Sequence, residues 1–167
     1  MADAPQANYG GKIIIASRKL SAQGTDEGIK FSYETKHDYQ KSRDNNSTAT
    51  KSGTLNAPGT LKTTLKVDMV ANNSATLKVQ QDAMDSGEVM EYWRIFTGIE
   101  TSAGKVKATY MQGTVTSYEE NADADNFATA SIEVAVNGKP VDGEVTFDGS
   151  QTDAQYAFTG LEKVTTP

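Results

Sequence analysis

Apolar and polar residues alternate with a period of two along most of the chain. Leu61, Thr63, Leu65, Val67 and Met69 are interleaved with Thr60, Lys62, Thr64, Lys66 and Asp68. Successive side chains of a strand point to opposite faces, so the first set belongs to a core and the second to water. Ala130, Ile132, Val134 and Val136 alternate with Ser131, Glu133 and Ala135 in the same way, and Ile29, Phe31 and Tyr33 alternate with Lys30, Ser32 and Glu34. Val106, Ala108 and Tyr110 alternate with Lys107 and Thr109, and the pattern continues past Gly113 to Val115. Shorter strands are expected at Ile13 and Ile15, Leu77 and Val79, Val145 and Phe147, and last at Tyr156 and Phe158. One-sided alternation favours antiparallel sheets with one wet face. Asn137-Gly138 follows a strand directly and offers the positive φ of a tight hairpin turn. Asp142-Gly143 is a second turn signal, with Pro140 keeping the connection irregular.

Two stretches depart from this alternation. Val89, Tyr92, Trp93, Phe96 and Ile99 recur at spacings of three and four, which predicts an amphipathic helix over about residues 85–98. Asp85 and Glu88 fit a capping box, Glu88 and Glu91 suit the positive helix end, and Gly98 fits a helix stop. Val89, Trp93 and Phe96 are then the residues that anchor the helix to the core. Residues 40–59 are polar throughout, with Leu55 as their only large apolar residue. A long polar excursion inside a compact domain is functional or disordered. Asp44-Asn45-Asn46 is turn chemistry, so this segment is expected to form an arm, projecting from the body and mobile in an isolated subunit.

The chain has 167 residues, enough for one domain over residues 1–167. No 20–50-residue repeat interrupts it. No apolar run reaches membrane-span length, and the start lacks a signal-peptide pattern, so folding in a cytoplasm is expected. Cysteine is absent, which removes disulfides and thiolate metal sites. The net charge of −6 is unevenly spread: residues 1–57 hold eight basic and six acidic groups, residues 58–167 eight basic and sixteen acidic. Binding to DNA phosphates calls for the opposite sign.

Residues arranged for catalysis are scarce in the sequence. His37, the only histidine, lies in Thr35-Lys36-His37-Asp38-Tyr39 and reads as a solvated surface residue, since no Gly-x-Ser-x-Gly nucleophile motif accompanies it. Glu119, Glu120, Asp123 and Asp125 crowd one loop. Clustered carboxylates suit calcium, but the loop lacks the glycine and distal glutamate of an EF-hand and reads as an exposed acidic turn. Gly10-Gly11 precedes a strand and opens no helix, so it is not a phosphate loop. No cofactor, metal or catalytic residue is expected, and the chain does not read as an enzyme.

Two stretches resemble a known family. One is Ser42-Arg43-Asp44-Asn45-Asn46-Ser47-Thr48-Ala49-Thr50-Lys51-Ser52-Gly53. The other is Lys107-Ala108-Thr109-Tyr110-Met111-Gln112-Gly113-Thr114-Val115-Thr116-Ser117-Tyr118, running on through Glu119 and Phe127 into residues 130–138. They resemble the major tail proteins, or tail tube proteins, of long non-contractile-tailed phages of Gram-positive bacteria, of the lactococcal-phage type. The resemblance implies a mainly β fold: an antiparallel β-sandwich or half-barrel with one flanking helix, like the tubes of contractile tails and type VI secretion. Some members carry an extra C-terminal immunoglobulin-like domain, and none is expected in this sequence. It implies a virion structural protein, made in the host cytoplasm, whose hexameric rings stack into a hollow tail tube for DNA ejection. Its implied partners are other copies of the chain, a tape measure protein inside the tube, and tail terminator and baseplate or distal tail proteins at the ends. DNA passes without specific binding, and no membrane is involved. Ser42, Arg43, Asp44, Thr48, Thr50 and Lys51 become candidates for contact between rings, and Asp68, Glu133 and Glu144 for acids facing the lumen. The rival expectation is a carbohydrate-binding β-sandwich module of a virion receptor-binding device, although the aromatic residues are dispersed.

Overall fold

The computed structural model describes residues 4–146. Phe147 and the strand expected at Tyr156 and Phe158 lie outside the described residues. The elements in chain order are β1 (Ile13–Lys19), β2 (Ile29–Lys30), β3 (Glu34–Thr50), β4 (Gly53–Val70), α1 (Ala75–Ser86), β5 (Met90–Ser102), β6 (Lys105–Asn121) and β7 (Thr129–Thr146). The strands form one antiparallel sheet in the order β2-β1-β5-β6-β7-β4-β3. Leu65 stands opposite Val134 and Val67 opposite Ile132, so the alternation read from both segments meets on one face.

That face carries the main core. Ile15, Leu65, Val67, Met69, Met90, Tyr92, Met111 and Val134 pack there, with Leu77 and Ala83 of α1 laid across them. The sheet curls around this face. Arg94 Nε of β5 donates to His37 Nε2 of β3 at 3.1 Å, although three strands separate β5 from β3 in the sheet. Ile15 N of β1 donates to Glu34 Oε2 at 3.1 Å, tying the opposite border in as well. The result is the half-barrel form of the expected architecture, a single rolled sheet rather than two separate layers.

The helix α1 lies earlier in the chain than the residue spacing predicts. Residues 75–86 are helical, and residues 90–102 are strand. The physical reason is burial on both faces of β5. Met90 and Tyr92 face the main core, while Trp93 and Ile95 face a second cluster with Ala16, Val106 and Ala108. A strand covered on both sides loses its two-residue alternation, and an apolar run then contains three- and four-residue spacings by accident. Trp93 and Phe96 are buried on β5, and Val89 precedes the strand, so none of the three is a helix anchor. The expected strand at Leu77 and Val79 is part of α1. That helix starts at Ser74, whose hydroxyl accepts from Leu77 N at 3.4 Å, and ends at Gly87 with φ 74°. Its contact with the sheet is partly polar. Gln80 is fully buried, accepts from Tyr92 Oη at 2.7 Å and donates to Ser17 Oγ at 3.0 Å.

Asn137-Gly138 does not turn the chain. β7 runs through it, and Gly138 takes its positive φ inside an irregularity: Asn137 pairs with Gln112 and Val141 with Tyr110. Three β7 residues thus stand against Met111 alone, a bulge rather than a hairpin. Asp142 and Gly143 likewise lie within the strand. Gly113 of β6 marks a close strand approach, since a Cβ there would sit 2.4 Å from Ala135 O and 2.8 Å from Val134 Cγ1. Gly113→Ala is therefore expected to cost about 1–3 kcal/mol through forced separation of β6 and β7. Urea unfolding of the pure subunit measures this.

A buried charged group sits on the second face. Arg18 Nε and Glu91 Oε2 are 2.7 Å apart, with side chains 5% and 1% exposed. Tyr110 Oη donates to Glu91 Oε1 at 2.5 Å, the Gln23 amide donates to the same oxygen, and Arg18 lies 5.0 Å over the Trp93 ring. Burial and the Glu91 hydrogen bond push the Tyr110 hydroxyl above its ordinary pKa.

Candidate assembly interface

The polar excursion is a β-ribbon. β3 and β4 pair from Glu34 opposite Met69 out to Thr50 opposite Gly53. β7 covers β4 only from Thr63 to Val70, so beyond Leu61 the ribbon has two strands and no further sheet neighbour among the described residues. The eight residue steps from Leu61 to Gly53 carry it about 27 Å past the body. Residues 41–58 are exposed throughout. The reversal is made by Lys51 and Ser52, where Thr50 Oγ1 donates to Gly53 O at 2.6 Å and accepts from Ser52 N at 3.2 Å. Asp44-Asn45-Asn46, read as a turn, is instead the site of a bulge: the register shifts between Arg43 and Asn45. Gly59 faces that bulge, and a Cβ there would lie 2.8 Å from Asp44 O.

The candidate contact residues therefore share one ribbon, with uneven roles. Arg43 Nη1 donates to Gly59 O at 3.1 Å, and Asp44 pairs with Lys62 at 2.9 Å, so both already have partners within the arm. Ser42 stands opposite Lys62 and Thr48 opposite Leu55. Lys51 occupies the tip. Exposed ion pairs of this kind contribute about 0–1 kcal/mol each. A two-stranded hairpin alone is marginal in water. In the free subunit, amides of residues 44–58 are accordingly expected to exchange with deuterium far faster than those of residues 63–69. Mass-resolved exchange reads the difference.

The candidate acids divide between two faces. Asp68 stands opposite Lys36 and Ser131, and Glu133 opposite Lys66, all on the face away from the main core. Ser131 Oγ donates to Asp68 at 2.6 Å. With Asp38 beside Lys36 at 3.4 Å, this polar face is close to charge balance. Glu144 pairs in register with Lys107, on the other face. There the Thr101 hydroxyl (2.6 Å) and the Lys105 ammonium (3.3 Å) hold its carboxylate below the usual range. Among the described residues, Glu119 and Glu120 at the end of β6 and Asp123 and Asp125 in the β6–β7 connection form a run of four acids with no ion-pair partner.

His37 is not a solvated surface residue, as the sequence suggested. Its side chain is 9% exposed, and Nδ1 lies 2.6 Å from Glu34 Oε1. Arg94 occupies the Nε2 position that a nucleophile would take in a catalytic triad, which makes His37 a tie between the rolled ends of the sheet. Among the described residues, no group of three or more His, Cys, Asp or Glu is arranged to hold a metal ion. Glu119 instead accepts from Asn121 Nδ2 at 3.2 Å, and Glu120 from Gln81 Nε2 at 3.2 Å and from Tyr118.

The described residues thus form a half-barrel whose long border strand, β3, runs out with β4 into a projecting ribbon. The sequence matches the model of the phage tail tube protein family over residues 8–142, and the chain belongs to that family. It is a structural tail tube protein, a component of a virion. Its fold is similar to the SPP1 tail tube solved by solid-state NMR and cryo-EM, with TM-score 0.75, 18% identity, and 88% of this chain and 84% of that one covered. It is also similar to the tail of an empty gene transfer agent particle, refined helically with C6 symmetry, with TM-score 0.65, 13% identity, and 82% and 99% covered. A native gene transfer agent virion gives TM-score 0.63 and 14% identity, with the same coverage. No curated protein matches the sequence. None of these findings supports a carbohydrate-binding module.

Proposed function

We propose that copies of this chain close into hexameric rings, and that the rings stack into the hollow tube through which the DNA of a long-tailed phage is ejected. The observation that carries the reading is an unfinished sheet. β3, 17 residues long, is a border strand with no neighbour on its outer side among the described residues. Such a border presents unpaired backbone groups, and soluble monomers protect theirs by shortness, charge or cover. The far border is β2, only two residues long, which pairs β1 at Ala16 and Ser17 alone. Joining β3 of one subunit to the β1–β2 border of the next is a heterologous contact that closes by rotation. The C6 tail of the gene transfer agent supports a ring of six.

Within the ring, the polar face with Asp68 and Glu133 lines the bore, where alternating Lys36, Lys66 and acids leave few places for a polyanion to stick. Glu144 belongs to the opposite surface. The arm reaches the adjacent ring, the tape measure protein occupies the bore during assembly, and terminator and distal tail proteins close the ends. Amine-directed crosslinking of assembled protein tests ring closure. A ladder ending at the hexamer is expected, and a product that stops at the dimer would refute the ring.

A further inference from the structure

The arm and the acidic segment at the end of β6 and the turn after it lie at opposite ends of the same strands. β4 begins at the arm tip, Gly53, and ends at Val70, which pairs with Thr129. Thr129 also pairs with Asn121, and Ala71 N donates to Ala128 O at 2.8 Å, which sets residues 122–128 beside the Val70 end. The two features are about 56 Å apart along the strand direction.

Their chemistry is complementary. Residues 41–62 carry Lys41, Arg43, Lys51 and Lys62 against the single acid Asp44. Residues 119–126 carry Glu119, Glu120, Asp123 and Asp125 and no cation. Each region also exposes one large apolar side chain, Leu55 at 66% on the ribbon and Phe127 at 85% beside the loop. Leu55 on an isolated ribbon gains burial only from another surface.

From this we infer that the basic arm of one copy docks on the acidic Glu119–Asp125 segment, the end of β6 and the turn after it, of a second copy in the next ring, with Leu55 and Phe127 as its apolar contact. The inference rests on the tail tube reading and names the surface that receives the arm. A basic projection at one pole and an acidic receptor at the other cannot satisfy each other within one molecule. They satisfy each other by translation along the strand axis, which is a heterologous contact that does not close and so propagates a filament. Two arms or two loops facing each other would set like charges together, so the pairing also fixes head-to-tail polarity.

Charge exchange tests it. Arg43→Glu with Lys51→Glu is expected to reduce sedimentable tube at least tenfold at low salt, with the melting temperature of the subunit nearly unchanged. Asp123→Lys with Asp125→Lys is expected to do the same. Combining all four substitutions in one chain restores opposite signs and is expected to restore tubes to near wild-type yield. Wild-type tubes should also become scarcer as salt rises, since screening shortens the range of the attraction. Failure of the four-fold variant to recover, while wild type assembles and all variants fold, would overturn the acidic segment as receptor and leave the tail tube reading standing. Tubes of normal yield from either double variant would overturn it equally. Wild-type protein that never forms tubes would instead refute the tail tube reading itself.

Discussion

Replacing residues 44–60 by an Asn-Gly turn should give a folded, soluble subunit that builds no tubes. Arg43 and Leu61 are register partners in β3 and β4, so a short turn between them closes the shortened hairpin without breaking the sheet. What is removed is exposed throughout residues 44–58 and contributes nothing to either buried cluster. The melting temperature should therefore stay within a few degrees of wild type. Assembly should fall by orders of magnitude, because every subunit in every ring loses its axial contact. Removing Ser42 to Lys51 alone would be a poorer test, since it strips one strand from the ribbon and leaves residues 53–60 without a partner. Tubes of normal length from the shortened protein, seen by negative-stain microscopy, would remove the arm from the account.

Arg18→Met should be among the most destabilising single changes in the molecule. It leaves the Glu91 carboxylate 1% exposed, with only the Tyr110 hydroxyl and the Gln23 amide as partners. Removing one member of a buried ion pair costs about 3–5 kcal/mol, because the remaining charge is stranded without water. For a chain of this size that lowers the melting temperature on the order of 10 °C. Adding Glu91→Gln removes the charge yet keeps an oxygen acceptor for Tyr110. The double variant should recover most of the loss, since replacing both members of a buried pair is often near neutral. Calorimetry of the two variants decides it: equal instability in both would mean that packing around Trp93 matters more than the stranded charge.

The strands legible in the sequence were those with one wet face. Leu61 to Met69 and Ala130 to Val136 alternate cleanly, and they pair with each other as β4 and β7. The helix departs from the position that the residue spacing predicts for two reasons that compound each other. β5 is covered on both faces and mimics a helical stripe, whereas α1 buries Gln80 and Thr76 at its sheet-facing positions and so hides its own. Asn137-Gly138 carried a real conformational signal, the positive φ at Gly138, but no local pattern distinguishes a bulge from a turn when the strand resumes afterwards. The arm could be read from its polarity, although its ribbon form could not, because threonine-rich strands bare on both faces show no alternation of burial. The Arg18–Glu91 group had no sequence signature at all. Its members lie 73 residues apart and meet only because β1 pairs with β5.

Electron microscopy of the purified subunit across a concentration series addresses most directly whether the bare border of β3 and the projecting ribbon exist for other copies of the same chain. Stacked rings enclosing a continuous bore are expected as concentration rises. A species that stays monomeric at the highest concentration reached, and is missing from the shaft of the virion that encodes it, would contradict the account.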